Sequence, residues 1–124
     1  MTVHLDTSVL IDALTGPRRS LDALTALAEQ GHRVALSTIV LYEWLRGPRT
    51  RLELGVQEDL FPREATVAFG PPEADLAAQL YKRVGRARGR EIDLAVAACV
   101  LGAGATLWTL NRGDFSDIPD LRLV

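Results

Sequence analysis

Short apolar runs rich in β-forming residues alternate along this chain with longer segments of helical period, and that alternation restricts the fold more than any other feature. The segments "VHLDT", "HRVALS", "ATVAFG", "ATLWTL" and "DLRLV" read as strands, each bounded by polar or turn-forming residues. Every gap between successive strands but the last is long enough for at least one helix. Strands separated by helical crossovers pair in parallel and need cover on both faces. The expected architecture is therefore α/β, a three-layer α/β/α sandwich with a mainly parallel sheet.

The intervening helices are legible from spacing and from their ends. A helix is expected to begin near Ser8, straight after the first strand, with Ser8 as its cap. "RRSLDALTALAEQG" places Leu21, Leu24, Leu27 and Ala28 on one face and stops at Gly31. "STIVLYEWLRGP" has Ser37 or Thr38 as cap and Gly47-Pro48 as terminator, and "RTRLELGVQEDLF" is helical. After the Pro71-Pro72 break, "PEADLAAQLYKRVGRARG" reads as an amphipathic helix. "EIDLAVAACVLGAG" is apolar almost all round, the mark of a buried helix.

Composition narrows the classes of function. A chain of 124 residues with 48 % hydrophobic and 24 % charged residues is expected to form one domain, residues 1–124, with a core of its own. One cysteine, Cys99, allows no internal disulfide, so an inert buried thiol and a reducing, cytoplasmic setting are expected. No charged stretch followed by an apolar one opens the chain, so no signal peptide is expected. The weakly polar run from Leu94 to Trp108 is too short to span a membrane. A net charge of −2 argues against nucleic-acid binding by bulk electrostatics. The basic residues are clustered, however. Lys82, Arg83, Arg86, Arg88 and Arg90 crowd one stretch, and Arg46, Arg49 and Arg51 another. Guanidinium forks suit phosphate oxygens, so these groups read either as a phosphate-holding rim or as solvated surface.

Several carboxylates sit where a structural role does not obviously call for them. Asp6 follows the first strand, at the edge where open parallel sheets bind ligands. Glu43 lies one turn beyond Ile39 and Val40 rather than on a clean polar face, a surface glutamate being the alternative. Asp93 leads into the all-apolar helix, where the helix dipole also favours an acid; Glu91 competes with it but precedes the buried face. Asn111 and Asp114 follow the strand "ATLWTL", again at a carboxyl end. Gathered at one edge, such acids repel one another, and a hard divalent cation, Mg²⁺ or Mn²⁺, removes the conflict. A cation of that kind serves phosphodiester hydrolysis.

Other constellations are weak. His4 and His32 are far apart and lack zinc-ligand spacing. "GAGA" follows a helix and precedes a strand, which reads as a helix end rather than a phosphate loop. Tyr42, Trp44, Phe69 and Trp108 read most simply as core, with Tyr42 or Trp44 available for a dimer face. A phosphoacceptor receiver domain would need a lysine after a late strand, and the one lysine, Lys82, lies in a helical stretch.

"LDTSVLID", the isolated Glu43, "IDLAVAA" with Asp93, and "TLWTLNRGDF", in that order, resemble a PIN domain, and more narrowly the VapC-type toxins of bacterial toxin–antitoxin pairs. The resemblance covers essentially the whole chain. It implies a Mg²⁺- or Mn²⁺-dependent endoribonuclease whose catalytic and metal-binding acids fall on Asp6, Glu43, Asp93 and, in fourth place, Asp114, with Asn111 as a neutral ligand or water-holder. Thr7 or Ser8 would hydrogen-bond the cluster. The implied partners are an RNA substrate, a small cognate antitoxin that blocks the active-site groove, and a second copy of the chain in a homodimer. A catalytically silent PIN-like binding scaffold is the alternative, which RNA cleavage by the purified chain would exclude.

Overall fold

The computed structural model describes residues 1–124. Strand β1 (Thr2–Leu5) runs into helix α1 (Thr7–Leu14), followed by α2 (Leu21–Glu29), β2 (Arg33–Ala35), α3 (Thr38–Arg46) and α4 (Arg51–Leu60). Helix α5 (Pro71–Arg83), the buried α6 (Glu91–Gly102) and β3 (Thr106–Trp108) complete the regular elements. Short 3-10 turns occupy Arg63–Ala65 and Arg112–Asp114.

The sheet has the order β2-β1-β3, with β1 paired in parallel to both neighbours. Successive β1 side chains point to opposite faces, and Val3, His4 and Leu5 are all at most 1 % exposed. Both faces are thus covered, as an all-parallel sheet requires, and the α/β sandwich expected from the alternation is present. Two of the five expected strands shrink to single contacts. Val67, from "ATVAFG", makes one parallel bridge to Ser37, and Leu123, from "DLRLV", makes one to Leu107.

Helix ends follow their local chemistry with two departures. Ser37 caps α3, its hydroxyl accepting from Val40 N at 3.2 Å. Thr50 and Glu53 close a reciprocal capping box on α4. Ser8 does not cap α1. Asp6 holds the cap position without a side-chain cap bond, and Ser8 lies inside the first turn. The arginine-rich stretch is not the end of α5. That helix stops at Arg83, and the chain loops through Gly85 to Gly89, with Arg86 at φ 57° and Gly89 at φ 85°. Two glycines weaken any helix through this stretch.

Helix α6 is central to the core, with Leu94 to Val100 buried without interruption. Cys99 is among them, and burial pushes its thiol up to about 11, which fits an inert side chain. His4 is buried with neither ring nitrogen hydrogen-bonded, and burial lowers its pKa, keeping it neutral. Trp44 is fully buried, and the Arg49 guanidinium stacks 4.2 Å from the centre of its ring. Tyr42, by contrast, is 54 % exposed on α3 and is not core.

Candidate active site

The carboxyl ends of β1 and β3 are tied together at the residue that opens the site. Asp6 N donates to Trp108 O at 2.9 Å, which sets the start of α1 beside the chain leaving β3. The Asp6 side chain is 6 % exposed. Its Oδ2 accepts two hydroxyl protons, from Ser8 at 2.8 Å and from Thr109 at 2.7 Å. These bonds offset the cost of burying a carboxylate. Both hydroxyls are in turn engaged by backbone. Leu110 N donates to Ser8 Oγ at 3.1 Å, and Asn111 N to Thr109 Oγ1 at 3.0 Å. A short network thus joins β1, α1 and the turn after β3.

Glu43 projects from α3 toward the same edge. Thr7 Oγ1 donates to its Oε1 at 2.7 Å, across 36 residues of sequence. Its Oε2 pairs with Arg46 at 3.5 Å, a loose contact to a largely exposed guanidinium. Both residues of the Thr7-Ser8 pair therefore serve acids of the cluster, Thr7 holding Glu43 and Ser8 holding Asp6.

Asp93 and Glu91 separate cleanly. Glu91 is exposed and accepts from Gly89 N at 3.0 Å, which holds its carboxyl below the ordinary range and assigns it to the turn. Asp93 is half-buried, and its carboxyl is pushed up to about 6. Burial is the first cause, followed by the charges of Asp114, Asp6 and Glu43, while Arg90 acts in the opposite sense. Three carboxylates from three other elements thus lie close enough to act on the charge of Asp93. Asp114, in the turn after β3, is exposed, as is Asn111. The Asn111 carbonyl accepts from Asp114 N at 3.0 Å, so the backbone of Asn111 shapes the turn that presents Asp114.

No group of three or more His, Cys, Asp or Glu side chains is placed as it stands to hold a metal ion directly. The donor set nonetheless has the chemistry for one. It consists of carboxylate and hydroxyl oxygens, with no histidine or thiol, and Asp114, Asp6 and Glu43 disfavour the charge on Asp93. A small hard cation that keeps several waters needs only one or two carboxylates directly, the others acting through those waters.

Two residues of this site carry no signal strong enough to single them out in the sequence. Thr109 lies within "TLWTLN" as an ordinary strand-end threonine, yet it is 4 % exposed and donates to Asp6. Arg90 reads as one of five clustered cations, but its guanidinium is committed. It forks onto Asp117 at 2.7 and 2.9 Å and donates to Asp114 O at 2.8 Å. It does not extend into solvent as a free phosphate contact, whereas Arg86 and Arg88 are exposed.

If Asp114 fills the fourth acidic place, Asp114→Asn should slow catalysis more than Asn111→Ala, since only the former removes a charge that attracts a cation. Comparing single-turnover rates of the two variants checks this. The reverse order would give the place to Asn111 and leave Asp114 a turn residue.

These residues give the α/β sandwich a polar, oxygen-rich centre beyond the carboxyl ends of its parallel sheet. The PIN domain profile matches residues 3–121, and the chain belongs to the PIN domain family. Ribonuclease VapC19 of Mycobacterium tuberculosis (strain ATCC 25618 / H37Rv) is 29% identical over 121 residues, 95% of each chain. The fold matches a chain in the crystal structure of VapBC2 from Rickettsia felis bound to a DNA fragment from their promoter. There the TM-score is 0.75 at 22% identity, covering 100% of this chain and 98% of that one. DNA-bound VapBC from Salmonella typhimurium gives a TM-score of 0.77 at 21% identity, covering 100% and 97%.

Proposed function

We propose that this chain is a divalent-metal-dependent endoribonuclease of VapC type, the toxin of a toxin–antitoxin pair, formed by residues 1–124 as one domain and acting in the cytoplasm. The observation that carries the reading is the convergence of Asp6, Glu43, Asp93 and Asp114 on one edge of the sheet, close enough for three of them to raise the proton affinity of the fourth. Likeness to a protein named a ribonuclease, over nearly the full length of both chains, supports the activity. The solved VapBC structures sharing the fold support an antitoxin partner. No helix is long and apolar enough to cross a membrane.

In this reading Asp6, Asp93, Glu43 and Asp114 hold Mg²⁺ or Mn²⁺, directly or through water. When bound, the cation supplies positive charge for the phosphodiester in its transition state and lowers the pKa of the attacking water. The chain's own residues do the rest. Ser8 and Thr109 fix the Asp6 carboxylate, and Thr7 fixes Glu43, so neither acid has to reorganise when a cation or substrate arrives. Arg86 and Arg88, exposed on the loop before α6, stand near the Asp93 end of that helix and suit the RNA backbone as paired donors. Exposed Tyr42 and Leu45 on α3 offer apolar surface for a homodimer.

Induced expression tests the toxin reading. The wild-type chain expressed alone in a bacterial host should arrest growth, and an Asp93→Asn variant at equal abundance should not. Equal growth with both chains would remove the toxin assignment.

A further inference from the structure

We propose that Arg90 is a positioning residue for the acidic cluster: its guanidinium clasps the turn carrying Asp114 to the start of α6, which carries Asp93, and so sets the cluster's grip on a divalent cation. The proposal rests on reading the cluster as a metal centre.

Arg90 immediately precedes α6, three residues before Asp93. Its side chain is 20 % exposed, and its two terminal nitrogens reach four acceptors. Nη2 donates to Asp114 O at 2.8 Å and to Asp117 Oδ1 at 2.7 Å. Nη1 donates to Asp117 Oδ2 at 2.9 Å and to Gly85 O at 3.3 Å. One planar group thus joins the loop after α5, the start of α6 and the turn after β3. Without it, Asp114 N is tethered only locally, to Asn111 O. The side chain of Asp114 is exposed, so packing does not fix its direction. The fork on Asp117 explains how a cation can be tolerated beside a site that binds cations. Asp117 neutralises Arg90, and the pairing raises the proton affinity of the guanidinium and lowers that of the carboxyl. A lysine would supply the charge but not the planar fork that holds three acceptor groups at once.

Charge and position make opposite claims about what removing Arg90 does. If it acted by charge alone, Arg90→Met would tighten binding of a cation by the nearby acids. If it acts by clasping Asp114, the same change loosens binding.

Equilibrium Mn²⁺ binding by the metal-free, RNA-free chain, followed by electron paramagnetic resonance, decides between these, with circular dichroism melts confirming that each variant is folded. Arg90→Met is expected to weaken Mn²⁺ binding about tenfold or more, the usual range for a residue that orients a ligand. Arg90→Lys should fall between it and the wild type. Placed on an Asp114→Asn background, Arg90→Met should add less than about twofold, because residues acting through one another are not additive. Should Arg90→Met fail to fold, Arg90→Lys carries the same test, because it keeps the charge and loses the fork, and it is expected to weaken binding. Unchanged or tighter binding in the folded variants, or a full additive loss on the Asp114→Asn background, overturns the clasp while leaving the metal centre intact. A wild-type chain that binds no Mn²⁺ overturns the metal-centre reading and the clasp with it.

Discussion

Asp93→Asn is expected to abolish RNA cleavage and, at pH 7.5 without divalent ions, to raise the melting temperature by a few degrees. The two effects share a cause. The Asp93 carboxyl is raised from 3.8 to about 6 by burial and by Asp114, Asp6 and Glu43, so the folded chain holds that proton more tightly than the unfolded chain does. Below about pH 3.8 the group is protonated in both states and costs nothing. As pH rises through about 6, the folded protein must carry a half-buried charge among like charges, and stability is lost. At one pKa unit per 1.4 kcal/mol, discounted for screening by solvent, the penalty above pH 6 is about 1–2 kcal/mol. Asparagine removes it. Thermal melts of wild type and variant in EDTA at pH 3.5 and 7.5 check the sign: a gap at the higher pH that closes at the lower. A variant less stable than wild type at pH 7.5 would show that Asp93 is held by favourable contacts rather than crowded by acids.

Glu43→Gln should cost orders of magnitude in cleavage rate and no more than about 1 kcal/mol in stability. The amide carbonyl of glutamine can still accept the proton that Thr7 donates at 2.7 Å, so the α1–α3 link survives. The ion pair it breaks is the 3.5 Å one with exposed Arg46, which contributes little. What the substitution removes is the negative charge at the edge of the site. Single-turnover cleavage alongside a urea melt separates the two quantities. Near-normal cleavage would make Glu43 a helix-surface residue that merely anchors Thr7.

Much of this arrangement is legible in the sequence because carboxylates in apolar surroundings are costly and therefore conspicuous. Asp6 between Leu5 and the apolar face of α1, and Asp93 at the head of an all-apolar helix, stand out for that reason. Glu43 stands out by helical phase, one turn from Ile39 and Val40. The crossover pattern likewise gives the parallel sheet and its buried faces. Other features depend on tertiary contacts that spacing does not encode. "ATVAFG" and "DLRLV" have strand composition, but each finds a partner for one residue only, at Val67 and Leu123. "KRVGRARG" has the charged residues of a helix surface, but Gly85 and Gly89 outweigh them and the helix ends at Arg83. Ser8 has the composition of a cap, yet its hydroxyl turns to the Asp6 carboxylate, whose owner already occupies the cap position. The Arg90–Asp117 fork spans 27 residues, and the Thr109–Asp6 bond spans 103, so neither pairing has a local signature.

Whether the acids at the carboxyl edge of the sheet form a metal-dependent centre for RNA cleavage is decided by one titration. The purified chain is incubated with single-stranded RNA in excess EDTA, and Mg²⁺ or Mn²⁺ is then restored in steps beyond the chelator. The expected result is no cleavage in EDTA, recovery that saturates with free cation, and no recovery for Asp93→Asn at the same concentrations. Undiminished cleavage in excess EDTA would contradict a metal-dependent centre.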